Sequence, residues 1–233
     1  MKPVEDFLWF WIRRSMRKHF FSIHLRGAGE LRKLHGPAII CANHSGWWDT
    51  FTCVFLKRTF RLPAYGMMEE KNLKTAAFLK HVGVFGINLT SPRTAAGGLK
   101  TALDLLNQRS VIFIFPQGRH VPYGVRPLEF KPGLDWIIKK SPDTALYALA
   151  IRYEHLWESR PQLFLNIARV SPDVDSAHGA STLERLMDET SQDIQKQDFD
   201  GYETLMEGGL SMNKQWERFV CLLSGKHFNP RNS

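Results

Sequence analysis

Residues 43–49 read Asn-His-Ser-Gly-Trp-Trp-Asp and follow a short apolar run, Ala38–Ala42. A histidine five residues ahead of a carboxylate is a base with a partner. The carboxylate fixes one imidazole tautomer and stabilises the imidazolium that forms when the ring takes a proton. Five residues lies off the i, i+4 face of a straight helix, so the pair needs a turn between its members, and Ser45-Gly46 supplies one. The same spacing also suits a strand-end histidine capped by an acid for stability alone. A metal reading lacks a third ligand at a recognisable spacing, so no metal is expected. No protein nucleophile accompanies the base. There is no Gly-x-Ser-x-Gly, Ser45 directly follows His44, and Cys41 lies inside the apolar run. A base without a nucleophile points to a hydroxyl brought by a second substrate, hence to direct acyl or phosphoryl transfer with no covalent enzyme intermediate.

A second cluster, Phe115-Pro116-Gln117-Gly118-Arg119-His120, follows another apolar run, Val-Ile-Phe-Ile-Phe at 111–115. Gly118 permits close backbone approach, and Arg119 offers a planar fork for phosphate or carboxylate. Taken alone, the cluster is equally a strand-to-loop turn with a surface arginine.

Both clusters need strands to hold them. Apolar runs and punctuation predict strands over 20–25, 38–42, 63–67, 111–115, 145–151 and 163–168, with 81–89 a glycine-punctuated loop or strand. Helices are expected over 3–20, 49–60, 72–80, 94–107, 133–140, 182–195 and 212–223. Strands alternating with helices give an α/β fold. The expected architecture is a single domain with a mixed, largely buried β-sheet flanked by helices, preceded by an N-terminal amphipathic helix. The division expected is 1–20 for that helix and 21–233 for the domain.

Composition narrows the partners. At 233 residues with 43% hydrophobic and 23% charged residues, the chain is an ordinary globular one. Its three cysteines are far apart, which excludes a disulfide framework or a zinc knuckle. No run approaches the roughly 18 apolar residues of a membrane span. The net charge of +8 is uneven: 50–140 carries fourteen Lys/Arg against five acids, while 141–233 carries nine against fourteen. A basic front and middle suits a polyanionic donor or an anionic membrane surface. No nucleic-acid signature is present, so no nucleic-acid partner is expected.

The opening helix has its own character. Val4, Phe7, Leu8, Trp11, Ile12 and Met16 recur at helical spacing, and Arg13, Arg14, Arg17 and Lys18 follow at once. Charges after a six-residue apolar run are the reverse of a signal peptide. Aromatics beside cations suit a helix lying on a membrane surface. Packing of the aromatic face on the domain is the alternative, and the two readings are compatible on different faces.

The two clusters together resemble the glycerolipid acyltransferases, the 1-acylglycerol-3-phosphate acyltransferase group. Their first motif is Asn-His, four residues, Asp, and their third is Phe-Pro-Glu-Gly-Thr-Arg. Phe130-Lys131-Pro132-Gly133 is similar to the Phe-Lys-x-Gly that follows the third motif, and 145–153 to the fourth block. The resemblance runs from about Gly27 to Arg169. It implies that His44 is the general base on an acceptor hydroxyl and that Asp49 orients it. It implies an acyl-CoA or acyl-carrier protein as co-substrate and no bound cofactor. Gln117, Gly118, Arg119 and Lys131 would contact substrate, with oxyanion donors among the backbone amides near Gly118. The simplest acceptor is 1-acyl-glycerol-3-phosphate, drawn by a peripheral protein from the cytoplasmic face of the membrane.

The sequence departs from that pattern in its acceptor motifs. Gln117 stands in place of Glu, which keeps hydrogen bonding and removes a charge. Arg119-His120 occupies the Thr-Arg positions. Leu89 falls where an acceptor-phosphate arginine is usual, and Arg93, four residues on, substitutes only if its loop turns inward. Ala148 stands where proline is common. Intact chemistry with altered recognition leaves a second acceptor class open: a lyso-aminolipid, a glycolipid or another lipid alcohol. A non-catalytic, membrane-associated lipid-binding protein is the remaining alternative.

Overall fold

The computed structural model describes residues 2–171 and 175–228. Its centre is β2 (Ala38–Ala42), a five-residue strand in which every residue is buried. It lies between two parallel neighbours, β5 (Val111–Ile114) and β6 (Ala145–Glu154). Such strands read as continuous apolar runs because both faces of the sheet are covered. Outward from β5 come β3 (Ala64–Glu69) and β4 (Val84–Ile87), also parallel. Outward from β6 come β7 (Gln162–Arg169), antiparallel to it, then β1 (Ser22–Arg26), then β8 (Tyr202–Glu207) at the edge. The sheet therefore has eight strands in the order β4-β3-β5-β2-β6-β7-β1-β8. It is the mixed α/β arrangement the sequence predicts.

Helices cover both faces. On one lie α1 (Lys2–His19), α2 (Ala28–Arg32), α3 (Asp49–Thr59), α4 (Glu70–Thr75) and a 3₁₀ helix, Ala77–Val82. On the other lie α5 (Pro92–Asn107), α6 (Gly133–Lys140) and α7 (Ser176–Lys196). The last helix, α8 (Met212–Ser224), sits outside both layers with its large apolar side chains exposed.

Several elements differ from the sequence reading. The helix expected over 72–80 breaks at Ala76, whose φ of −120° and ψ of 47° leave the helical region. The helix expected from Thr94 starts two residues earlier. Ser91 Oγ accepts from the Thr94 amide at 3.2 Å, Thr94 Oγ1 accepts from the Ser91 amide at 3.0 Å, and Pro92 fills the first turn. Neither α2 nor β8 was expected. The first is only five residues, and the second is an edge strand whose only buried residue is Met206.

α1 divides its apolar residues between two faces. Ile12 and Met16 are buried in the core, with Leu8 and Trp9 packed against it. Val4, Phe7, Phe10 and Trp11 are exposed. Glu5 and Asp6 pair with Arg58 on α3, and Glu5 also reaches Lys57 at 3.6 Å. Among the described residues no helix is long and apolar enough to cross a membrane.

Candidate active site

The register of the sheet explains why two motifs 70 residues apart meet. Cys41 on β2 faces Ile114 on β5, so the residues just beyond each strand emerge side by side. On the other flank Ala42 faces Leu149 of β6. Three parallel strands thus deliver their following segments to one edge, where open α/β sheets place ligands.

The Asn43 side chain prolongs the sheet past its last backbone pair. Its Nδ2 donates to Ile151 O at 2.9 Å, and its Oδ1 accepts from the Ile151 amide at 2.7 Å. The chain then turns, and Asp49, fully buried, opens α3. Asp49 Oδ2 accepts from three donors: His44 Nδ1 at 2.8 Å, the Ser45 amide at 2.8 Å and the Gly46 amide at 2.9 Å. Its Oδ1 accepts from the Tyr153 hydroxyl, two residues past Ile151 on β6. Burial and the neighbouring Asp49 charge raise the Tyr153 pKa well above its usual value, so the phenol remains a donor. With Nδ1–H committed to Asp49, the imidazole presents Nε2 as its acceptor.

The turn between the dyad members needs a glycine for a steric reason. A Cβ at position 46 would lie 2.9 Å from Tyr153 Cε2. Ser45-Gly46 is therefore the turn the sequence predicts and also the floor on which the tyrosine rests.

The segment after β5 closes the other side of His44. The Phe115 ring stacks on the imidazole with centroids 4.3 Å apart, and the His120 ring lies 3.9 Å from it. The Val121 amide donates to His44 O at 2.8 Å. Gln117 is buried, and its Oε1 accepts from the His44 amide at 3.3 Å. It thus touches the backbone of His44 and does not line the cavity beside it. Gly118 has φ +64°, and a Cβ there would lie 2.8 Å from Lys131 Cε. The left-handed φ favours glycine, whereas the contact is with the end of a flexible side chain that can shift. The Gly118 amide donates to Phe115 O at 3.0 Å, so within the group of amides expected as oxyanion donors this one is already engaged in the turn.

A cavity of about 1240 Å³ opens beside His44. Its walls come mainly from apolar side chains, among them Val54, Leu79, Val82, Phe113, Leu99 and Ile137. Exposed Trp47 stands at its margin. Gly118, Arg119 and Lys131 line it, as does Leu89. Arg93 is exposed near the start of α5 and is not a lining residue. Of the seven residues singled out from sequence, the structure gathers His44, Asp49, Gln117, Gly118, Arg119 and Lys131, and leaves Arg93 apart.

Three participants were not singled out for the site. Tyr153 has no local signal, because its partner is 104 residues away. Asn43 was read only as part of a motif. His120 was visible beside Arg119, and only the return of its loop onto His44 brings it to the dyad. Burial is the main cause of its lowered pKa, followed by the neighbouring His44.

No cysteine competes as nucleophile among the described residues near the base. Burial pushes the Cys41 thiol up to about 12. Cys53 lines the cavity, and burial with the charge of Asp49 raises it well above its usual value. No group of three or more His, Cys, Asp or Glu side chains suited to a metal ion occurs among the described residues.

The acyltransferase family model matches residues 22–152, more than half of the chain. A chloroplastic 1-acyl-sn-glycerol-3-phosphate acyltransferase of Arabidopsis thaliana is 26% identical over 123 residues, 52% of this chain and 34% of that protein. The match thus spans about a third of that relative's length. The crystal structure of the 1-acyl-sn-glycerophosphate acyltransferase PlsC from Thermotoga maritima superposes with a TM-score of 0.54 at 17% identity. That match covers 84% of this chain and 79% of that one, and it is a likeness of fold.

Proposed function

The chain belongs to the acyltransferase family, and on that premise we propose that it moves a fatty acyl group from an acyl-CoA or acyl-carrier-protein thioester to a lipid hydroxyl. The observation that carries this reading is a carboxylate-held histidine at the mouth of a large apolar cavity with no ionised thiol beside it. His44 Nε2 takes the proton of the acceptor hydroxyl as its oxygen attacks the thioester carbonyl. The tetrahedral intermediate collapses by breaking the carbon–sulfur bond, and the thiolate recovers the proton from the imidazolium. The products are one ester and one thiol, with no covalent enzyme intermediate. Asp49 holds the imidazole and offsets its transient charge. Arg119 and Lys131, two of the cations lining the cavity, bind the anionic part of a substrate. The apolar walls take the acyl chain.

The simplest acceptor is a lysophospholipid such as 1-acyl-glycerol-3-phosphate, the substrate named for both relatives. A second reading keeps the chemistry and changes the acceptor to a lyso-aminolipid, a glycolipid or another lipid alcohol. It is favoured by Leu89 on the cavity wall and by Arg93 outside it. In either case the exposed aromatic face of α1 rests on a membrane surface, and the protein works peripherally from the cytoplasmic side.

The test is transfer of a labelled acyl group by purified protein to a panel of acceptors in detergent, from both donors, beside His44→Ala. His44-dependent transfer to lysophosphatidate supports the first reading. His44-dependent transfer only to other lipids supports the second. Transfer unaffected by His44→Ala would remove the mechanism.

A further inference from the structure

α8 is built the wrong way round for a helix on the surface of a water-soluble domain. At about 100° per residue, Met212, Trp216, Phe219, Val220, Leu222 and Leu223 fall on one side of it. Every one of these six is exposed, Leu222 at 78% and Trp216 at 66%. The opposite side carries Lys214 and Cys221, and these face the body: Lys214 is 3% exposed, and Cys221 is half-buried. A surface helix ordinarily turns its apolar stripe inward and its polar side outward. Here the polar side is docked and the apolar side is displayed, a patch of the kind that marks an interaction surface.

The docking is polar and well defined. The Met212 amide donates to Ser159 Oγ at 2.9 Å, and the Ser159 amide to Asn213 Oδ1 at 3.3 Å. Asn213 Nδ2 donates to Trp157 O at 3.2 Å, and Ser211 Oγ to Glu158. Within α8, Lys214 bonds Glu217 at 3.0 Å. The connection between β6 and β7 thus holds the start of α8, and it adds one more exposed indole, Trp157 at 71%. The segment before α8 bonds the end of α1: the Gly209 amide donates to Arg17 O at 3.2 Å. Arg160 Nη1 donates to Lys18 O at 2.9 Å.

We propose that the outward face of α8, together with Trp157, is a membrane-docking surface that inserts into the headgroup region of an anionic bilayer. Two observations select a bilayer over a protein partner. First, the side chains are those of a membrane interface: two indoles, a phenylalanine and aliphatics, with Arg218 and Lys226 beside them and Arg17 and Lys18 exposed at the adjoining end of α1. Second, the charge is complementary to anionic lipid: with the buried Lys214 and its partner Glu217 set aside, residues 212–228 keep the exposed Arg218 and Lys226 and no acid, in an otherwise acidic C-terminal third. This surface is separate from the aromatic face of α1, and it does not depend on the chemistry proposed for His44.

The experiment compares the full chain with Phe219→Gln/Leu223→Gln by flotation on phosphatidylcholine vesicles with and without phosphatidylglycerol. Both substituted side chains are exposed, so the fold is retained, which circular dichroism checks. Affinity for the anionic vesicles is expected to fall roughly tenfold or more, while His44→Ala floats like the parent. In the unaltered chain, brominated lipid should quench tryptophan fluorescence, and Trp216→Phe should reduce that quenching. Unchanged flotation of the double variant would overturn the proposal. So would a parent that is dimeric in vesicle-free buffer and becomes monomeric on the same substitution, since the face would then belong to a second copy. A chain that floats through α8 but transfers no acyl group would sink the proposed function and leave this inference standing.

Discussion

The two sides of the cavity are made differently. On the β2 and β6 side, His44 and Asp49 are held by strand-end contacts from three directions, with both Asp49 oxygens occupied. On the β4 and α5 side, Leu89 is a plain apolar wall residue, and the nearest cation in sequence, Arg93, is exposed and does not line the cavity. Chemistry depends on sub-ångström placement and is built into the sheet. Recognition depends on which side chains line a loop, and loops tolerate change. The contrast teaches that the sheet fixes the proposed catalytic pair, while the wall that would meet an acceptor is set by loop side chains.

The largest effects should come from the rigid side. His44→Ala is expected to lower turnover by about 10²–10⁴-fold, with little change in melting temperature. Asp49→Asn should lose on the order of 10²-fold or more, because an amide can stabilise the other tautomer and cannot offset the imidazolium charge. Steady-state acyl transfer, read as kcat and KM separately, checks both. Near-normal kcat in Asp49→Asn would break the comparison, since the buried network would then serve stability alone.

Tyr153→Phe is the next in size and separates positioning from folding. It removes one donor from a buried carboxylate, at a cost of about 1–3 kcal/mol readable as a drop in melting temperature. If the tyrosine also positions the dyad, kcat falls by roughly tenfold with KM unchanged. A stability loss with no change in kcat would show that His44 and the two turn amides hold Asp49 by themselves. Gln117→Ala belongs to the same class but should act more weakly, because its bond to the His44 amide is 3.3 Å long. Gln117→Glu keeps an acceptor at that place and should recover most of the rate.

What could be read from the sequence follows the same division. The dyad was legible because both members lie within seven residues, and the turn between them is signalled by Ser45-Gly46. The central strands were legible because doubly covered strands are continuous apolar runs. Tyr153 was not, since no local pattern announces a partner 104 residues away. Gln117 was read as a substrate contact because sequence gives its neighbours in the motif but not the direction of its side chain. β8 was missed because an exposed edge strand needs little apolar content. The two-faced nature of α1 was only half visible. Helical spacing grouped Val4, Phe7 and Trp11 with Ile12 and Met16, and the structure separates them.

The recognition side should respond more mildly, and in KM. Lys131→Ala removes a cation held against Gly118 at the cavity and should raise KM for an anionic substrate by roughly tenfold with kcat retained. Arg93→Ala should change KM by less than about twofold for any acceptor. A large KM effect there with lysophosphatidate alone would mean that the loop before α5 turns inward when that lipid binds. The Leu89 wall would then not define the acceptor class.

The smallest effect expected is on pH dependence, and it separates titration at the site from titration of the fold. His120 at the dyad and His24 on β1 both have pKa values lowered from 6.5, chiefly by burial. The His24 ring sits among Ser22 Oγ at 2.6 Å, Thr204 Oγ1 at 3.1 Å and Gln162 Oε1 at 3.2 Å. The unfolded chain therefore takes up each proton first as the pH falls. Above 6.5 neither group changes the folding balance. Below it the folded state loses stability progressively, until the pH passes the lowered folded values. His24→Gln should make the denaturation midpoint less sensitive to acid and leave the shape of the pH–rate profile alone, because β1 lies two strands beyond β6. His120→Asn should alter the acid limb of that profile, because its ring lies 3.9 Å from the His44 ring. An unchanged acid limb would mean that His120 packs against the base without sharing its electrostatics. The rigid side of the site would then end at Gln117.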